Sequence, residues 1–181
     1  VIDVPALVRA LADDAAQHGV TFRYDTEMYN VFVDARASHI VHSDGIISAH
    51  VIVNAAGLGA SRIAAVAGFP HHRVALYRGE YYEVTDPALR DAVHGLVYPV
   101  YRPGSPGLGI HLTKTVDGEL LIGPNARYVQ SKDDYEGGRS SPESFLAPAR
   151  RLVPALRLED LRPSYAGIRA KLLAEGETGF R

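Results

Sequence analysis

The chain has 181 residues, 46% hydrophobic and 22% charged, with 19 Lys and Arg against 21 Asp and Glu for a net charge of -2. This is an ordinary globular composition, and the balanced charge leaves no bulk cationic field to hold nucleic acid or anionic lipid. The absence of Cys excludes a disulfide scaffold, a zinc ribbon, an iron–sulfur site and a thiol nucleophile, and leans toward a cytoplasmic setting.

Asp3 as N-cap, Pro5 in the first turn, and Val4, Leu7, Val8, Leu11 and Ala15 at helical spacing predict a first helix, stopped by Gly19. Residues 20–24, 29–33 and 39–42 are short β-branched and aromatic segments that predict strands. Ser43-Asp44-Gly45 is a turn signal, and residues 46–49 return as a hairpin partner. The unbroken apolar run that ends in Asn54-Ala55-Ala56-Gly57 predicts a strand over 50–57 buried on both faces, as in a parallel sheet under helices. A helix follows at 60–67, closed by Gly68.

After Pro70, residues 74–85, 96–101, 107–115 and 119–123 alternate apolar and polar positions between turn signals at Asp86-Pro87, 103–107 and Asp117-Gly118. That pattern predicts an antiparallel sheet. Ser141 and Pro142 open a helix reaching about residue 152, with Phe145, Ala149, Leu152 and Val153 on its apolar side and Pro148 inside it. Residues 161–172 form a last strand, so the fold class is α+β. No apolar run approaches the roughly 20 residues of a membrane span. The chain opens on Val1 without a Met, starts close to a helix signal and stops at Gly179-Phe180-Arg181 without a closing element, so it is expected to be a central piece of a longer protein.

The standard motifs are absent. Gly57-Leu58-Gly59 is followed by Arg62, and Gly107-Leu108-Gly109 by Leu112, where a dinucleotide fingerprint needs a third Gly. No P-loop, metalloprotease, nucleophile-elbow or EF-hand pattern occurs. His71 and His72 are neighbours, which on an extended chain point to opposite sides and suit a solvated loop better than a metal pair.

In Leu108-Gly109-Ile110-His111-Leu112-Thr113, a strand puts the apolar residues on one face and Gly109, His111 and Thr113 on the other. A bare backbone, an imidazole and a hydroxyl in a row suit a flat ligand or small substrate with His111 as base; they also suit a solvent face carrying a structural histidine. In Tyr77-Arg78-Gly79-Glu80-Tyr81-Tyr82, Arg78 and Glu80 share a face and read as a surface pair, with a functional role as the alternative because Gly79 marks a close backbone approach. Arg169 and Lys171 are in phase on the last strand, either to clamp a carboxylate or as two exposed cations.

Taken in order, Val51-Ile52-Val53-Asn54-Ala55-Ala56-Gly57, Arg78-Gly79-Glu80-Tyr81-Tyr82, Tyr98-Pro99-Val100, Gly109-Ile110-His111-Leu112-Thr113 with Asp117-Gly118 and Ile122-Gly123-Pro124-Asn125-Ala126, and Tyr165-Ala166-Gly167-Ile168-Arg169 resemble the FAD-dependent oxidoreductases of the D-amino-acid oxidase and glycine oxidase group. Within it the pattern is most similar to the L-2-hydroxyglutarate oxidase/dehydrogenase branch. The resemblance implies part of an FAD-binding domain in 1–70, a substrate-binding antiparallel sheet in 71–160, and a return toward the FAD domain in 161–181. It implies FAD as cofactor, with Asn54, Ala55, Ala56, Gly57 and Gly79 letting backbone approach it, and a small carboxylate as substrate. Arg169 takes the place of the family's carboxylate-binding arginine, His111 that of the proton acceptor, and Thr113, Tyr98 and Arg78 are further substrate-binding candidates. No metal site is expected.

The glycine fingerprint for the FAD pyrophosphate and the family's closing glycine-rich segment are missing, so this chain alone is expected to bind FAD weakly or not at all. The expected reaction is oxidation of a 2-hydroxy acid to the 2-oxo acid. The alternatives are an amino-acid or amine oxidase of the same fold and a non-catalytic binding module that keeps the sheet.

Overall fold

The structure, a computed structural model, describes residues 2–100 and 108–172. Tyr101, the turn expected at 103–107 and the terminal residues 173–181 lie outside the described residues. Two compact units emerge: Ala6–Val74, and a second that runs from Ala75 onward and includes the first residues of the chain.

In the Ala6–Val74 unit, α1 (Val4–Gln17) leads to β1 (Met28–Val33), β2 (Ser38–His42) and β3 (Gly45–Ala49), followed by α2 (Ala60–Val66). The strands form an antiparallel meander in which His42 pairs with Gly45 across a two-residue turn, as the Ser43-Asp44-Gly45 signal predicts. Two expectations fail here. Residues 20–24 form no strand, and neither do residues 50–57, where Val51 and Val53 are 75% and 81% exposed. A doubly buried parallel strand exists only beside neighbours that take its backbone hydrogen bonds and cover both faces, and no described strand lies along this run. For the same reason α1 has a clear apolar stripe yet buries none of it.

The second unit is built around one long strand. β4 (Ala75–Val84) pairs along its whole length with β8 (Leu161–Lys171). Its other edge is shared by β6 (Leu120–Gly123), at Tyr82 and Glu83, and by β7 (Arg127–Val129), at Leu76 to Arg78. β5 (His111–Lys114) extends the sheet beyond β6. The segment expected as a strand over 96–101 contributes only a bridge between Val97 and Leu112. Leu161–Lys171, the expected last strand, is a full partner in this sheet.

One face of the sheet is the core. Tyr82, Val84, Leu112, Leu120 and Ile122 pack against Phe145 and Ala149 of α4 (Pro142–Ala149) and against Leu156. The turn after β4 holds a helix the alternation did not indicate, α3 (Pro87–Ala92), where the Asp86 side chain accepts the Leu89 amide at 2.9 Å and Pro87 occupies the first turn. Among the described residues no helix is long and apolar enough to cross a membrane.

Candidate functional site

The face opposite the core carries His111, Thr113, Tyr81 and Arg169. Because directly opposed residues of an antiparallel pair share a face, the register puts Tyr77 with Arg169 and Gly79 with Gly167, and His111 with Gly123 and Thr113 with Leu121, all on this side. Tyr81 stacks on Tyr165, ring centroids 4.8 Å apart. Tyr98 reaches in from the bridge segment and stacks on His111, centroids 4.1 Å apart at 24°. His111, Thr113, Tyr98 and Tyr81 line a common open cavity of about 450 Å³ together with Leu96 and Ile2.

Gly109 lies outside the strand, turned by a φ of 78°, which corrects the expected row of Gly109, His111 and Thr113. The turn gives His111 a partner: its Nδ1 lies 2.9 Å from the Gly109 carbonyl oxygen, which can only accept. Nδ1 therefore carries the hydrogen, and in the neutral ring Nε2 holds the basic lone pair. Beside it, Gly123 adopts a φ of 137°, and a Cβ there would meet the Glu80 carbonyl at 2.6 Å and the Tyr81 ring at 3.1 Å. A bare residue here lets the Glu80 carbonyl and the Tyr81 ring pack directly against the β6 backbone that pairs with His111.

Tyr81 is the residue the sequence reading passed over, although its phase with Gly79 placed it on this face. Burial, and next the Tyr165 phenol, push its hydroxyl up to about 12 against the opposing charge of Arg169. It remains a hydrogen-bond donor at any ordinary pH. Arg169 is exposed and, among the described residues, forms no ion pair. Its guanidinium folds back over Gly79: a Cβ there would lie 3.0 Å from Nη2, 2.9 Å from Pro124 Cβ and 3.3 Å from the Asn125 carbonyl. Gly79 is thus covered by this chain's own atoms, which corrects its assignment as a point of backbone approach to a cofactor.

Arg78 is corrected as well. It points into the core face with Tyr82 and Val84, and it and Glu80 are 0% and 1% exposed, so they are neither a surface pair nor open to substrate. Arg78 Nη1 meets Asp134 Oδ1 at 2.7 Å, and Nη2 lies 3.0 Å from Glu80 Oε1. Glu80 Oε2 accepts from the Asn125 side chain at 2.8 Å and from the Ser140 amide at 3.0 Å. Burial alone would raise the Glu80 carboxyl; the Ser140 and Asn125 hydrogen bonds and the Arg78 charge outweigh it and hold the group below its ordinary range.

In the Ala6–Val74 unit, Asn54, Ala55, Ala56 and Gly57 are exposed. The Asn54 side chain holds the turn, donating to the Ala60 carbonyl at 2.9 Å and accepting the Ala56 amide at 3.3 Å. Nearby, Val31, Val51, Ile52, Ile63 and Phe69 are among the residues lining an apolar cavity of about 540 Å³. His71 and His72 sit in an exposed turn, and no metal-ligating cluster occurs among the described residues.

The sequence matches the FAD dependent oxidoreductase family over residues 1–180. The chain belongs to that family. It is 29% identical over 188 aligned positions to the mitochondrial L-2-hydroxyglutarate dehydrogenase of Arabidopsis thaliana, covering 90% of this chain and 38% of that protein. In fold it is similar to the glycine oxidase of Geobacillus kaustophilus, with a TM-score of 0.67 and 23% identity over 92% of this chain and 42% of that one. It is also similar in fold to the FAD-bound L-alpha-glycerophosphate oxidase of Mycoplasma pneumoniae, with a TM-score of 0.70 and 23% identity over 90% of this chain and 43% of that one. The chain therefore spans less than half the length of these relatives.

The residues present fit one part of the family's cofactor. The open cavity lined by Tyr81, Tyr98, His111 and Thr113 has room for a small ligand, and in the Ala6–Val74 unit the exposed small residues from Asn54 to Gly57 leave backbone open to a ligand. No glycine fingerprint opening a helix is available for the FAD diphosphate.

Proposed function

We propose that this chain is the substrate-facing part of a flavoenzyme that oxidises a 2-hydroxy acid, of the L-2-hydroxyglutarate kind, to the 2-oxo acid. The observation that carries the reading is the His111–Gly109 hydrogen bond, which leaves a basic Nε2 on the face that also bears Arg169. Bound FAD would supply the two-electron acceptor for the hydride leaving the substrate α-carbon. Arg169 holds the substrate carboxylate through its planar fork, and Tyr81 and Tyr98 donate from the side. His111 Nε2 takes the hydroxyl proton as the carbon–oxygen double bond forms. Asn54 to Gly57 would stand against the cofactor in the other unit. An amino-acid oxidase of the same fold would need a neutral amine and no base at His111.

Anaerobic mixing of the FAD-loaded full-length enzyme with L-2-hydroxyglutarate, lactate, glycine and proline tests the reading. Bleaching of the flavin by the hydroxy acids supports it; bleaching by the amino acids alone overturns it.

A further inference from the structure

Arg169 is long, exposed and without an ion pair among the described residues, so no carboxylate of this chain fixes where its guanidinium lies. What borders it is a turn. The point over Gly79 where a Cβ would be has Pro124 Cβ at 2.9 Å, Arg169 Nη2 at 3.0 Å and the Asn125 carbonyl oxygen at 3.3 Å, so the arginine tip and the residues after β6 bound the same small space. The residue before them, Gly123, pairs with His111 and lies against the Tyr81 ring.

One side chain fastens this turn. Asn125 Oδ1 accepts the Glu80 amide at 2.9 Å, and Asn125 Nδ2 donates to Glu80 Oε2 at 2.8 Å and to Ser140 Oγ at 2.9 Å. The Asn125 backbone amide also donates to the Glu80 carbonyl at 3.4 Å. A backbone N–H can only donate and a carboxylate only accept, so the side chain that meets both needs an acceptor and a donor on one carbon, which asparagine has and aspartate lacks. Glu80 is itself anchored, 1% exposed with Oε1 3.0 Å from Arg78 Nη2. The buried ion pair of the core face is thus tied through Asn125 to the turn beside Arg169 on the other face. We propose that Asn125 is a positioning residue for Arg169: it fixes the backbone of residues 124–125 against which the guanidinium is placed. This rests on Arg169 holding the substrate carboxylate, as in the reading above, and adds what places the arginine.

The test uses the FAD-loaded full-length enzyme as wild type, Asn125→Ala, Arg169→Ala and the double variant. Thermal melting, flavin content, and kcat/KM for an acid that reduces the flavin and for its methyl ester are measured. Asn125→Ala should lower kcat/KM about tenfold for the acid and less than twofold for the ester, because only the acid uses the arginine and a misplacement of about 1 Å suffices for such a loss. The double variant should be no worse with the acid than Arg169→Ala alone, since residues that act through one contact are not additive. A purely structural asparagine would instead lower acid and ester alike, in step with the melting temperature. Equal losses on acid and ester, or losses that multiply in the double variant, would overturn the proposal. If the alanine variant does not fold, Asn125→Asp, isosteric and still able to accept the Glu80 amide, replaces it in the same cycle with the same expected and overturning results. If an amino acid and no hydroxy acid bleaches the wild-type flavin, the hydroxy-acid reading fails on its own, and the cycle run with that amino acid and its ester still decides the role of Asn125. If Arg169→Ala leaves the acid kinetics unchanged, the carboxylate role of Arg169 and this proposal fall together.

Discussion

The guanidinium of Arg169 rests on Gly79, with Nη2 3.0 Å from the point where a Cβ on that glycine would be. Pro124 Cβ crowds the same point at 2.9 Å. Gly79→Ala should therefore displace the arginine tip and strain the strand at once. Overpacking of this kind costs about 1–3 kcal/mol, so the variant should melt lower and bind substrate carboxylate more weakly. Unchanged melting and affinity would show that the contact is loose.

His111→Ala should slow flavin reduction by a hydroxy acid about 10²-fold or more, the range for a positioned proton acceptor. Stopped-flow reduction against pH is the measurement. A variant whose rate and pH profile match wild type makes His111 a structural residue stacked on Tyr98.

Arg169→Lys keeps the charge and loses the fork, so substrate affinity should fall while flavin content holds; Arg169→Ala should lower it further. Charge-assisted hydrogen bonds are worth about 1.5–3 kcal/mol, so the alanine variant should raise KM at least tenfold. An esterified substrate should be poor with wild type and indifferent to either change. Acid and ester kinetics within twofold across all three proteins would leave Arg169 without a binding role.

The Arg78–Glu80 pair predicts stability rather than chemistry. Removing one partner of a buried ion pair leaves a lone buried charge, so Arg78→Met should destabilise by about 3–5 kcal/mol in urea unfolding. The pH dependence has a definite sign. Glu80 is held below its ordinary range when folded, so the folded state binds its proton less readily than the unfolded state. Its contribution is present above the unfolded value and is lost as pH falls through the depressed folded one. Glu80→Gln should flatten this acid limb of the stability curve.

The 181-residue chain by itself should purify colourless, because no glycine fingerprint is available to neutralise the FAD diphosphate. Stoichiometric flavin absorbance on it would sink that argument.

Periodicity along the chain was enough to place α1, the β2–β3 hairpin, α2, β4, β6, α4 and β8, and to put His111 and Thr113 on one face, because each of these depends on residues a few positions apart. It was also enough to put Arg78 and Glu80 in phase. Alternation alone does not say which face is inside, however, and these two went inward because Tyr82 and Val84 on the same face build the core. The six-residue α3 was hidden in what looked like a turn, though the Asp86-Pro87 cap was its signal. The apolar run at 50–57 carried the pattern of a buried strand, but burial is a property of neighbours, and none among the described residues covers it. The site itself is a tertiary product. Tyr81 meets Tyr165, Arg169 covers Gly79 and Gly123 comes to lie opposite His111 only once distant strands pair in register, since the pairing decides which side chains share a face.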